Sequence, residues 1–174
     1  MPLQSLARVA AGLAVAGPVF SPVEISEHVY RGGWEHFVGG GVSAFDCNGD
    51  RFPELLAAGG TDPVTLFVNE ATEPGAPLAF RADTPDTLAL TGVTGAYPLD
   101  IDNDGWSDLA ILRVGENLLL KGAPDCQFTP FDLGLDGGDG WTTSFTATWE
   151  GSQQLPTLFF GNYVDRDDPK GPFE

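Results

Sequence analysis

Short apolar runs bounded by glycine, proline or other turn-forming residues recur along most of the chain. No run exceeds eight residues, and no long segment keeps a 3.6-residue period, so the pattern is typical of strands rather than helices. Ten such runs stand out: GVSAF, ELLAA, VTLFVN, LAFRA, GAYPL, DLAIL, NLLLKG, QFTPF, TTSFTATW and TLFFGNYV. The pattern predicts an all-β fold.

The runs repeat as a larger unit. Aligning FPEL, GWSDL and LPTL places Leu55, Leu109 and Leu158 in register, in steps of 54 and 49 residues. About four short strands in roughly 50 residues is the size of one β-propeller blade. We therefore predict a partial propeller over 23–174, built from antiparallel blades of about four strands each. The repeat units lie at about 37–90, 91–140 and 141–174, and the third is expected to lack its outer strands. The ring would be incomplete, because closed propellers have about four to eight blades.

The first 22 residues differ from the rest. MPLQSLAR carries one arginine, VAAGLAVAG is a short apolar run, and Ala14-Val15-Ala16 fits a small-x-small cleavage site. The run is shorter than the roughly 20 residues that cross a bilayer. We predict that 1–22 is a signal peptide cleaved near Ala16 and that the protein is secreted or periplasmic. The alternative is a buried N-terminal helix.

The net charge of −17 narrows the choice of partners. Nucleic acids and anionic membrane surfaces require a basic patch, so we expect neither. A strongly acidic chain favours cation binding, a salt-rich setting or a solubilising surface.

Part of the acidic charge is concentrated in the stretch DIDNDGWSD, which begins at Asp100. Alternate side chains of a tight loop converge on one centre, and Gly105 at position 6 permits the sharp turn. Clustered hard oxygen donors favour Ca²⁺, which accepts six to eight oxygen ligands in irregular geometry. The predicted ligands, at positions 1, 3, 5, 7 and 9, are Asp100, Asp102, Asp104, the carbonyl of Trp106, and Asp108.

A similar loop, DCNGDRFPE, begins at Asp46. It departs from the second loop in having Gly49 at position 4 and Arg51 where glycine is expected, so position 6 is predicted to adopt a strained turn. For both loops the alternative is an acidic turn without metal. The predicted ligands of the first loop are Asp46, Asn48, Asp50, the carbonyl of Phe52, and Glu54.

Neither loop is an EF-hand, because position 12 is Ala57 or Ile111 rather than glutamate and no flanking helices are predicted. In the third unit the same register gives Trp149, Gly151, Gln153 and Thr157. These residues offer no carboxylate. The sequence therefore predicts about two calcium ions, and a third loop held by packing and hydrogen bonds.

Two cysteines, Cys47 and Cys126, fit an exported chain with one disulfide. Two separately buried thiols are the alternative. His28 and His36 have no HxxxH or HExxH partner, so we expect them to be surface or packing residues.

Together, GGGVSAFDCNGDRFPEL, GAYPLDIDNDGWSDLAIL and FGNYVDR resemble the FG-GAP/VCBS repeat proteins, most closely the bacterial, secreted, cartilage-acidic-protein-like group. The resemblance covers nearly everything from about residue 34 and implies integrin-alpha-like propeller blades with calcium loops. The incomplete ring is expected to be the N-terminal fragment of a longer propeller, and self-assembly of the chain is the alternative. The integrin-type GAP motif is not matched, because Gly122-Ala123-Pro124 comes too late after Asp108.

No catalytic constellation is found: the chain has no G-x-S-x-G elbow and no G-K-[ST] phosphate loop. We therefore expect a non-enzymatic module in which calcium is structural and an extracellular protein or carbohydrate is the partner. A fragment of a calcium-dependent secreted hydrolase is the alternative. Open propeller edges also predict self-association.

Overall fold

The computed structural model describes residues 20–168 and residue 170. Within this part of the chain every regular element is a β-strand, apart from two short 3-10 turns at Trp34–His36 and Asp86–Leu88. The all-β prediction is confirmed, and each of the ten predicted runs contains or overlaps one strand. The predicted cleavage near Ala16 lies outside the described residues.

The strands form three antiparallel sheets, which we call blades one, two and three. Within each blade, strands adjacent in sequence are hydrogen-bonded neighbours, as in a propeller blade. Blade one contains β1 (Val42–Phe45), β2 (Glu54–Ala57), β3 (Thr65–Asn69) and β4 (Phe80–Ala82). Blade two contains β5 (Val93–Leu99), β6 (Asp108–Arg113), β7 (Leu118–Ala123) and β8 (Gln127–Pro130). Blade three contains β9 (Thr142–Thr148) and β10 (Thr157–Asn162).

The first hairpin of every blade has the same register across its loop. The last residue of the first strand pairs with a residue nine positions later, which begins the second strand. The pairs are Phe45 with Glu54, Leu99 with Asp108, and Thr148 with Thr157. The strand pairing therefore reproduces the alignment on Leu55, Leu109 and Leu158.

Blade two packs between the other two blades. Successive side chains of a strand point to opposite faces, so β6 can contribute to two cores. Leu109 and Ile111 belong to the cluster shared with blade one, whereas Ala110 belongs to the cluster with Phe145 and Phe160 of blade three. The apolar run of β6 is thus buried on both faces, and this burial fixes the position of the loop that precedes it.

A disulfide joins blades one and two. Cys47 follows β1 and Cys126 precedes β8, with their Cα atoms 4.7 Å apart. The backbone N–H of Cys126 also donates to the carbonyl of Cys47 at 3.1 Å. The predicted pairing is confirmed.

The residues that precede β1 pack against blade one. Arg31 forms a bridge with Gly60, and the ring of His28 hydrogen-bonds Thr65 Oγ1 at 2.9 Å and the Ala58 carbonyl at 2.8 Å. His36 is buried. Both histidines are packing residues, in agreement with the sequence analysis.

Candidate metal centre

The second acidic loop is folded around the carboxylate of Asp100. Its Oδ1 accepts the N–H of Asp104 at 3.1 Å and its Oδ2 accepts the N–H of Gly105 at 2.9 Å. Asp104 Oδ1 in turn accepts the N–H of Trp106 at 2.9 Å. These bonds tie positions 1, 5, 6 and 7 into one compact turn at the end of β5. The carboxylates of the loop are therefore brought close together by the backbone itself.

Asp108, at position 9, is fully buried. Its Oδ2 accepts the N–H of Ile101 at 2.8 Å, and its Oδ1 accepts the N–H of Gly122 at 2.8 Å. Burial raises the pKa of Asp108 despite these two donors. A buried carboxylate whose charge is only partly stabilised is a group that gains from a nearby cation.

Three carboxylates of the second loop converge. Oxygen atoms of Asp100, Asp102 and Asp108 lie within 4.8 Å of one another. Oδ1 of Asp102 is buried and has no hydrogen-bond partner, and an unpaired buried oxygen is costly unless a donor or cation meets it. The donor set is made of hard oxygens, so these residues fit calcium.

A lysine also reaches this loop. The Lys121 ammonium on β7 lies 2.6 Å from Asp104 Oδ2 and contacts Asp102 Oδ2. The Phe131 ring centroid is 5.3 Å from Lys121 Nζ. The hydrogen bonds that Lys121 donates to the two aspartates raise the pKa of Lys121, and the one that Asp104 accepts lowers the pKa of Asp104.

The first loop has a similar backbone design. Asp46 Oδ1 accepts the N–H of Gly49 at 2.7 Å, and its Oδ2 accepts the N–H of Arg51 at 2.8 Å. Asp50 Oδ1 accepts the N–H of Phe52 at 2.7 Å, as Asp104 does in the second loop. Arg51 has φ 74°, so the predicted strained turn at position 6 is confirmed.

The interior of the first loop is different. The amide of Asn48 donates from Nδ2 to Asp50 Oδ2 at 3.1 Å and to Glu54 Oε1 at 3.3 Å. Glu54 is fully buried, accepts the N–H of Cys47 at 2.9 Å on Oε2, and has a pKa raised by burial. Glu54 also lies near the sulfurs of Cys47 and Cys126, which are bonded to each other and are not free thiolates. Among the described residues, Asp46, Asp50 and Glu54 are not gathered as closely as the three aspartates of the second loop.

The remaining predicted ligands are backbone carbonyls. Phe52 and Trp106 occupy position 7 of their loops, and their participation in metal binding stays a prediction. The Trp106 indole lies over the first loop, since a Cβ placed on Gly49 would be 3.4 Å from its ring. The two loops are therefore neighbours on one end of the blades.

The third loop connects β9 to β10 without a carboxylate at the four aligned positions. The N–H of Gln153 donates to the Glu150 carbonyl at 3.1 Å, and Gly151 has φ 58°. Asn103 Nδ2 donates to the Gln154 carbonyl at 3.5 Å, which connects the third loop to the second.

Two residues of β7, Lys121 and Gly122, contact the aspartates of the second loop, and the sequence did not predict either contact. Gly122 donates its N–H to Asp108, and a Cβ at this position would be 2.1 Å from the Ser107 carbonyl oxygen. Only glycine allows β7 to approach so closely. A glycine inside an apolar strand is the sequence signal for such an approach. The neighbouring Lys121 is the sequence signal for a positively charged partner of the aspartates.

A comparison with family models matches residues 46–111 to the FG-GAP-like repeat. The match begins at Asp46 and ends in β6, so it includes both acidic loops. It supports the resemblance to FG-GAP/VCBS repeat proteins and a β-propeller-like interaction module. Searches of curated proteins and of solved structures gave no significant match. The bacterial, secreted, cartilage-acidic-protein-like likeness stays a prediction.

The described residues contain no helix that is long and apolar enough to cross a membrane.

Proposed function

We propose that this chain is a secreted calcium-binding β-propeller repeat module, in which calcium is structural and the blades present a surface to an extracellular protein or carbohydrate. The observation that carries the calcium assignment is the second loop, where Asp102 Oδ1 is buried and unpaired beside Asp100 and Asp108. The Cys47–Cys126 disulfide supports an oxidising compartment.

Calcium would act on stability by neutralising carboxylates that the fold holds together. Without an ion, Asp100, Asp102 and Asp108 repel one another at short range, and Lys121 offsets only part of this charge. Repulsion between partly buried charges at such distances costs on the order of several kcal/mol. Calcium binding to the folded state alone would therefore raise the free energy of unfolding.

The test is thermal unfolding of the full chain in excess Ca²⁺, in EGTA and in Mg²⁺. We expect a melting temperature several degrees higher in Ca²⁺ than in EGTA, and little effect of Mg²⁺, which demands near-ideal octahedral geometry. Calorimetry should give about two ions per chain. Equal melting temperatures in Ca²⁺ and EGTA would contradict the proposal.

Single substitutions distinguish the contribution of each loop to calcium binding. Asp104→Ala should abolish binding at the second loop, because a direct charged ligand is lost, whereas Asn48→Ala should weaken the first loop less. Gln153→Ala is the matched control in the third loop and should leave the stoichiometry unchanged. Three ions per chain would overturn the register argument.

A further inference from the structure

The side chain of Lys121 places a positive charge against the aspartates of the second loop. We propose that the Lys121 ammonium occupies the cation position of this loop and is displaced from Asp102 and Asp104 when calcium binds. The inference rests on the proposed calcium function and concerns how that site is regulated. It predicts that the loop with more carboxylates binds calcium more weakly than its charge implies.

The contacts of Lys121 are directed at the predicted ligands. Its Nζ lies 2.6 Å from Asp104 Oδ2 and contacts Asp102 Oδ2, while the Phe131 ring covers it at 5.3 Å. Asp102 also belongs to the group of three converging carboxylates. One carboxylate is therefore shared between the lysine and the metal position.

Electrostatics makes the two occupants mutually exclusive. A calcium ion bound to Asp102 and Asp104 lies about 2.4 Å from their oxygens, which places it within a few Å of an ammonium on the same carboxylates. Two cations at that separation repel each other, and water screens them incompletely over so short a distance. Calcium binding must therefore move Lys121 outward, which its partly exposed position allows.

The first loop provides an internal comparison. Leu55 pairs with Phe67 in blade one, as Leu109 pairs with Leu120 in blade two. Val68 is therefore the residue of β3 that corresponds to Lys121. The first loop has three carboxylates and no lysine, whereas the second has four carboxylates and a lysine. Calcium must therefore displace a lysine from the second loop but not from the first.

The first experiment measures the accessibility of the amine in the unmodified full chain. The sequence contains two lysines, Lys121 and the exposed Lys170, so mass spectrometry after brief acetylation gives the target and a reference in one sample. In EGTA, Lys121 should react several-fold more slowly than Lys170. Saturating Ca²⁺ should remove most of this difference by accelerating Lys121 and leaving Lys170 unchanged.

The second experiment removes the charge. Calcium titration of Lys121→Met is followed by NMR at the backbone amides of Gly105 and Gly49, each of which reports on its own loop. We expect the dissociation constant at Gly105 to fall about tenfold and that at Gly49 to stay the same. Arg31→Met is the matched control, because it removes one positive charge from a surface pair with Asp62 away from the loops.

The outcomes distinguish this inference from the proposed function. Calcium binding at Gly105 with unchanged Lys121 reactivity, and with equal affinities for wild type and Lys121→Met, overturns the competition while leaving calcium binding in place. An equal gain in affinity from Arg31→Met also overturns it, since the effect would then come from net charge. No calcium binding at either loop overturns both the inference and the proposed function.

Discussion

Arg51 and Gly105 occupy position 6 of their loops, and both have the left-handed backbone conformation, with φ values of 74° and 91°. Position 4 is also left-handed, with Gly49 in the first loop and Asn103 in the second. The glycine is therefore at position 4 in the first loop and at position 6 in the second, and a residue with a side chain takes the other left-handed position in each. For a residue with a Cβ this conformation costs about 1–2 kcal/mol, and asparagine tolerates it better than arginine does.

This difference gives a prediction for variants measured in EGTA. Arg51→Gly should raise the free energy of unfolding by up to about 1 kcal/mol, because relief of the strain exceeds the added entropy of the unfolded chain. Gly105→Ala should lower it by about 1 kcal/mol, since no atom lies within 4 Å of the added Cβ and the cost is conformational. Chemical denaturation measures both.

Arg51→Ala is the control for the side chain, because it removes the guanidinium but keeps a Cβ at φ 74°. It should give little of the gain seen with glycine. If alanine stabilises as much as glycine, the arginine charge rather than the backbone is responsible, and the strain argument is wrong.

At the scale of the strands and hairpins, the sequence predicted the elements well because each apolar run is short and bounded by turn formers. The alignment of Leu55, Leu109 and Leu158 also predicted the hairpin register, since a slip of one residue would turn every buried side chain to the opposite face. Asp46 and Asp100 each accept hydrogen bonds from residues only a few positions later, so a tight acidic turn could be predicted from a short stretch of sequence.

Contacts between segments that are distant in sequence could not be predicted in the same way. Lys121 meets Asp102 and Asp104 only because β6 and β7 pair in one particular register, and that register depends on the turn between them. The N-terminal segment that carries His28 and Arg31 has no periodic pattern, yet it packs on blade one through single hydrogen bonds and a bridge. Such contacts depend on the folded surface rather than on local sequence.

The disulfide is the covalent link between two of these elements, and it closes a long loop. Cys47 and Cys126 lie 79 positions apart in the sequence. Replacing both with alanine should lower the free energy of unfolding by about 4 kcal/mol, because the unfolded chain regains the entropy of an open loop. Chemical denaturation of the double variant measures this change.

Wild type under reducing conditions is the control for the alanine substitutions and should lose a similar amount of stability. Equal free energies of unfolding for oxidised and reduced wild type would contradict the prediction. A loss confined to the alanine variant would instead indicate a packing defect at two buried positions.

At the scale of the whole molecule, the described residues leave β10 as an edge strand. It pairs only with β9 within this part of the chain, and Phe159 is 49% exposed. Exposed edges with apolar side chains promote association, which a net charge of −17 opposes. We expect the protein to form oligomers at moderate concentration, and more so in calcium, which neutralises part of the charge. Light scattering over a concentration series measures this.

Phe159→Lys places a charge on the edge strand and should reduce the association. Leu78→Lys is the control, since Leu78 is similarly exposed but lies in the connection before β4. A monomer that stays independent of concentration in calcium would contradict the prediction, and an equal effect of both variants would point to net charge instead of the edge.

The constant nine-residue step between paired strand ends has an evolutionary consequence. Thr148 and Thr157 meet in the same register as Leu99 and Asp108, although no carboxylate stands between them at the aligned positions. Under the proposed calcium function, a blade of this kind can therefore acquire or lose an ion by point substitutions alone, with no insertion or deletion and no slip of the sheet. The proposed dependence on metal can then differ from one blade to the next while the strand pairing stays the same.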